Sequence, residues 1–79
     1  MLAQQDLQAI QEAHHHGRIT VLDPETGRLK ELVAPCPNDG TLSYVYMTTK
    51  EHGEISRVTF RCPRCGLRFT AEPERMQLH

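Results

Sequence analysis

The sequence predicts a small α+β domain stapled by metal: an N-terminal helix, a short β-hairpin, and a three-stranded antiparallel ribbon closed by one ion. Three observations carry this prediction. The turn Cys36-Pro37-Asn38-Asp39-Gly40 recurs as Cys62-Pro63-Arg64-Cys65-Gly66, and such turns aim their first and fourth side chains at one ion. The chain between them is rich in β-branched and aromatic residues and is broken near its middle by Lys50-Glu51-His52-Gly53-Glu54, the pattern of a long hairpin. At the start of the chain, Ala3, Leu7, Ile10 and His14 recur at helical spacing.

In chain order, residues 2–16 are expected to form a helix among helix-favouring Gln and Ala, ended by Gly17. An isolated helix of that length is marginal in water, so its Leu7 and Ile10 face should dock on the rest of the chain, on a second copy or on a partner. His14, His15 and His16 read as exposed residues of the last turn, favourable to the helix dipole when protonated. Ile19–Leu22 and Leu29–Val33 flank Asp23-Pro24-Glu25-Thr26-Gly27, a turn with Pro at its start and Gly at its close. Ala34-Pro35 is expected to break the second strand and deliver Cys36.

In the ribbon, Thr41–Thr48 and Ile55–Arg61 are the predicted long arms, and Leu67–Ala71 a third strand. Alternation places Val58 and Phe60 on one face with Leu67 and Phe69, and Arg57, Thr59 and Arg61 on the other. Tyr44 and Tyr46 are expected to pack inward with Leu42. That would leave Val45 and Met47 on a face for the N-terminal hairpin or helix to cover. The alternative sets the tyrosines among the arginines as stacking platforms. Residues 72–79 read as a short tail, with at most one helical turn. The organisation predicted is thus an arm (1–17), a hairpin (18–35), a ribbon (36–71) and a tail (72–79) in one compact domain.

A chain of 79 residues that is 38% apolar, with two Tyr, two Phe and no Trp, can build only a small core, so a metal staple is an expected supplement. Three cysteines argue against a disulfide framework and for a reducing compartment. A cytoplasmic location is therefore expected, with no membrane span, since no apolar run approaches the ~20 residues a span requires.

Cys36, Asp39, Cys62 and Cys65 are the predicted ligands of a single structural zinc ion. Asp39 stands where a four-cysteine site would have its second thiol. A carboxylate is also an accepted zinc ligand, though a harder one that binds zinc less tightly than sulfur. The other candidates for the fourth position are His52, a histidine outside the ribbon, or no metal at all, with Asp39 then serving the turn alone. Iron is the alternative ion. Cys62-Pro63-Arg64-Cys65 also has the spacing of a thiol redox pair, but that chemistry needs a helix after the second Cys, and Leu67-Arg68-Phe69-Thr70-Ala71 alternates like a strand.

The paired turns, the long hairpin and the closing run Val58-Thr59-Phe60-Arg61-Cys62-Pro63-Arg64-Cys65-Gly66-Leu67-Arg68-Phe69 resemble a zinc ribbon. Within that class they are similar to the C-terminal ribbon of the transcript-cleavage elongation factors and to related small RNA polymerase subunits. The resemblance covers about half the chain. It implies a hairpin whose tip enters a polymerase and carries adjacent acidic residues. Here Glu51 and Glu54 are separated by His52 and Gly53, so transcript cleavage is not expected.

The functional expectation is a non-catalytic module that docks on a larger protein assembly, with RNA polymerase or the transcription machinery implied by the resemblance. Net charge is −1, and the charges divide as 3 basic and 5 acidic over residues 1–35 against 6 and 5 over residues 36–79. That is not the clear basic excess of a protein that coats nucleic acid. A nucleic-acid interface through Arg57, Arg61, Arg64 and Arg68 is the first alternative. A small subunit that self-associates through residues 2–16 is the second.

Overall fold

In a computed structural model of the protein, which describes residues 4–79, one helix packs on an antiparallel sheet. The elements are α1 (Gln4–His15), β1 (Thr20–Leu22), β2 (Leu29–Pro35), β3 (Leu42–Glu51), β4 (Glu54–Arg61), β5 (Arg68–Thr70), a single 3-10 turn at Pro73–Arg75, and β6 (Gln77–Leu78). The sheet runs β1-β2-β3-β4-β5, with β6 also paired to β2. The predicted helix start at Leu2 and Ala3 lies outside the described residues. No described helix is long and apolar enough to cross a membrane.

α1 ends as the sequence suggests. Gly17 has φ +74°, its N–H bonds the carbonyl of His14 (3.0 Å), and the Arg18 N–H bonds that of Ala13 (2.8 Å), which is the Schellman arrangement. The apolar stripe is covered by the chain's own sheet: Ile10 and Ala13 are buried, and Ile10 packs with Leu32, Ala34, Ile55, Val58, Phe60 and Met76. Burial lowers the pKa of His14 from its ordinary 6.5, and its Nε2 has no hydrogen-bond partner among the described residues. The unfolded chain therefore binds this proton more readily, so stability should fall as pH drops through 6.5 towards the lower folded value. With metal saturating, His14→Gln should flatten the dependence of the melting temperature on pH between about 7 and 5.5.

The hairpin and the ribbon, expected as successive segments of one domain, share a single sheet through β2 and β3. Leu32, Val33 and Ala34 of β2 are consecutively buried, as in a strand covered on both faces. Val33, Ala34 and Pro35 pair with Tyr44, Ser43 and Leu42 of β3. Ala34-Pro35 does not break the strand, because Pro35 is its last residue, where a missing N–H costs the ladder least. The tail also departs from expectation. Met76 is 1% exposed, and β6 pairs Leu78 with Leu32 and Gln77 with Val33, so the C-terminus closes the core.

β3 and β4 pair from Tyr44↔Arg61 to Glu51↔Glu54, with register shifts between Val45 and Met47 and between Thr49 and Lys50. At the first, Tyr46 is the extra residue of β3; at the second, Ser56 is the extra residue of β4 and its hydroxyl donates to the Thr49 carbonyl (3.2 Å). Val58 and Phe60 face the core as predicted, and Phe69 stacks on Phe60 at 5.8 Å. The bulge lets Ile55 join them.

The face assignment of β3 is corrected. Ser43 is buried and Val45 packs against the core, whereas Tyr44, Tyr46, Leu42, Met47 and, beyond the second turn, Leu67 are exposed. Ser43 can go inside because its hydroxyl donates to the Thr41 carbonyl (3.0 Å), which satisfies the buried polar atom. Of the two apolar residues expected on a covered face, Val45 is covered and Met47 is not.

The β3–β4 turn is a two-residue loop, His52-Gly53, with φ +55° and +81°, as in the turns that match strand twist. It does not project freely. Glu54 is paired with His15 of α1, and a Cβ on Gly17 would stand 2.6 Å from the Gly53 carbonyl oxygen. Gly17→Ala should therefore both strain a left-handed residue, by about 1–2 kcal/mol, and push the helix end off the tip. A lower denaturation midpoint with faster amide exchange at residues 51–54 is the expected result.

Candidate metal centre

Two turns of the same build bring four predicted ligands together at the end of the sheet opposite the β3–β4 turn. In the first, the Cys36 N–H bonds the Thr41 carbonyl (2.8 Å) and the Gly40 N–H bonds the Cys36 carbonyl (2.8 Å). In the second, the Cys62 N–H bonds the Leu67 carbonyl (2.9 Å) and the Gly66 N–H bonds the Cys62 carbonyl (2.9 Å). Gly40 and Gly66 share φ +77°, a conformation that closes each turn at little cost only with glycine.

The Asp23–Gly27 turn, expected from its Pro and Gly, has the same build as the two ligand turns. In Asp23-Pro24-Glu25-Thr26-Gly27, the Asp23 N–H bonds the Arg28 carbonyl and the Gly27 N–H bonds the Asp23 carbonyl, both at 2.8 Å, and Gly27 has φ +72°. The shared signal is Pro at the second position and Gly at the fifth. Since the Asp23 turn holds no cysteine, the backbone shape is intrinsic to the sequence pattern. The ligand turns are thus shaped by local chemistry.

The Cys36, Asp39, Cys62 and Cys65 ligand atoms all lie within 4.8 Å of one another and could hold a metal ion. Cys36 Sγ is 3.7 Å from Cys65 Sγ, far beyond the ~2.05 Å of a disulfide, and Cys62 Sγ is 3.7 and 3.8 Å from the two Asp39 oxygens. Cys36 and Cys62 are buried, Asp39 and Cys65 exposed. β5 follows Cys65 where a redox pair would need a helix. His52 lies at the opposite end of the hairpin, and His15 is engaged by Glu54, so neither belongs to the cluster.

Cys36, Asp39 and Cys62 are also oriented by backbone. The Asn38 N–H points at Cys36 Sγ (3.4 Å), and the Thr41 N–H donates to Asp39 Oδ1 (2.9 Å). That bond, then the Thr41 hydroxyl, holds the Asp39 carboxyl below its usual range. Burial pushes the Cys36 thiol up. At Cys62 burial acts in the same sense, but the N–H groups of Cys65 and Arg64 and the neighbouring thiols outweigh it and lower the pKa. Thr41 is a supporting residue that sequence reasoning missed. Asp39→Cys should tighten metal binding, because sulfur suits a borderline-soft ion better than oxygen; competition with a chromophoric chelator measures it.

The four candidate arginines are all exposed. Arg57, Arg61 and Arg68 lie on the open face of β3–β5, while Arg64 sits in the second turn. Comparison with protein-family models, curated proteins and solved structures finds no match to this chain.

Proposed function

We propose that the chain is a non-catalytic zinc-ribbon binding module that docks on a larger protein assembly, in which one structural zinc ion joins the two turns. The observation that carries this reading is that the four donor atoms lie within 4.8 Å of one another, with the Cys36–Cys65 and Cys62–Asp39 pairs at 3.7 Å. A tetrahedron with zinc–sulfur bonds of about 2.3 Å has edges of about 3.8 Å. Three thiolates and a carboxylate fill all four positions, as in structural sites, whereas catalytic zinc keeps one position for water or substrate.

The transcription machinery is the assembly to test first, on the strength of the resemblance. A non-catalytic role is supported by the hairpin tip, where Glu54 is held by His15 and the turn lies against Gly17, so no free pair of carboxylates is offered to a magnesium ion. Native mass spectrometry should find one zinc per chain, lost on acidification. RNA polymerase should be retained from cell extract by the zinc-loaded protein after nuclease treatment. Stalled polymerase should show no transcript cleavage on its addition. Cleavage abolished by Glu51→Ala and Glu54→Ala would overturn the non-catalytic assignment, and a chain that folds without metal would overturn the staple.

A further inference from the structure

The open face of β3–β5 concentrates what the rest of the surface lacks. Cross-strand pairing sets Tyr44, Arg61 and Arg68 in one row, Met47, Thr59 and Thr70 in the next, and Thr49 with Arg57 in a third. Tyr44 is 47% exposed, Tyr46 45% and Met47 54%, and the Arg68 guanidinium lies 4.4 Å from the centre of the Tyr46 ring. Beside this row an open groove of about 510 Å³ is lined by Tyr44, Tyr46, Arg61, Pro63, Arg64 and Gly66. The zinc turn therefore forms one wall of it.

Charge is segregated on this face. None of these rows holds a carboxylate: Glu51 and Glu54 stand at the turn, and Asp39 belongs to the metal centre. Among the described residues the ion pairs are His15–Glu54 and Lys30–Asp23, so Arg57, Arg61, Arg64 and Arg68 carry uncompensated charge on a chain whose net charge is −1. Solubility alone does not call for exposed tyrosines between them. Two aromatic rings within a basic groove suit a ligand that has both regularly spaced anions and flat apolar faces.

We infer that this face binds single-stranded nucleic acid, with Tyr44 and Tyr46 stacking on bases and Arg57, Arg61, Arg64 and Arg68 holding phosphates. The inference rests on the binding-module reading and gives the module a nucleic-acid ligand in addition to its protein partner. A duplex hides its base faces in the stack and would leave the tyrosines unused. A purely protein partner would leave four charges to be matched. Zinc contributes by fixing the turn that carries Arg64 and by anchoring Arg61 next to Cys62.

The test is fluorescence anisotropy of labelled 12-nucleotide single strands, DNA and RNA, titrated with the zinc-loaded full chain at several salt concentrations. Binding should weaken with salt by about 0.7 in log K per log unit of salt for each phosphate neutralised, hence a slope of roughly −2 to −3 for three to four contacts. Tyr44→Ala and Tyr46→Ala should each cost about 5- to 150-fold, the value of one stacked base, with the slope unchanged. Arg61→Gln with Arg68→Gln should instead make the slope shallower. Melting temperatures confirm that these surface variants fold. Equal affinity for polyphosphate, or indifference to both tyrosine substitutions, would overturn the stacking assignment. Absence of binding at low salt would overturn the inference whole; polymerase retention by the same protein would show that the module reading survives it.

Discussion

Removing the metal is expected to unfold the chain. Chelation, or Cys62→Ser, should abolish cooperative melting followed by circular dichroism, and zinc should restore it to the chelated wild type. Cys62 and Cys36 are 0% and 3% exposed, so an ion bound there would tie together buried ends of β2–β3 and β4–β5. The core that would have to replace it is small, with Phe60, Ile10, Leu32, Met76 and Val33 its largest fully buried apolar side chains. Structural zinc in small peptides binds with roughly 10–16 kcal/mol, comparable to or above the 5–15 kcal/mol, approximately, that stabilises a whole domain. Local turn shape should outlast the metal, because the Asp23 turn adopts it without ligands. What is lost is the docking of one turn on the other. An apo protein that melts cooperatively at an unchanged temperature would refute this account.

Ile10→Ala should lower stability by about 2–5 kcal/mol, the usual cost of truncating a fully buried branched side chain. Ile10 is the member of α1 within the main core cluster, in which Leu32, Ala34, Ile55, Val58, Phe60 and Met76 also take part. A 12-residue helix has little stability of its own, so loss of this contact should release the helix as well as leave a cavity. Amide exchange across α1 should then speed up more than across β3 and β4. Leu7→Ala, at a half-buried position, should cost less. A change below about 1 kcal/mol for Ile10→Ala would mean that the helix is not held by this face.

The helix was legible from its stripe and its terminal Gly17, and the hairpins from their turn residues, because those signals act over one or two turns of chain. The docking of α1 was anticipated only as one of three options; which surface it meets depends on Ile55 and Met76, remote in sequence. The tail shows the limit most plainly. Met76-Gln77-Leu78 alternates, but a two-residue strand has no recognisable pattern until Leu32 and Val33 are there to pair with it.

For the candidate centre, the sequence by itself determined the geometry of each turn and picked out the three cysteines, with Asp39 the first of several candidates for the fourth position. Pro at the second position and Gly at the fifth suffice to aim the first and fourth side chains, by backbone bonds within six residues. Only the tertiary structure decided which faces the ribbon residues take. The extra residues Tyr46 and Ser56 each shift the register by one, and with a side-chain period of two a single shift exchanges inside for outside. Alternation alone left either face of β3 free to be the inner one; the folded sheet takes Ser43 and Val45 inside and leaves both tyrosine rings in solvent beside the arginines, and the extra Tyr46 then turns Met47 outward as well. The physical reason is that a bulge is fixed by the pairing of two strands and by what the sheet must bury, and neither is a property of one strand alone.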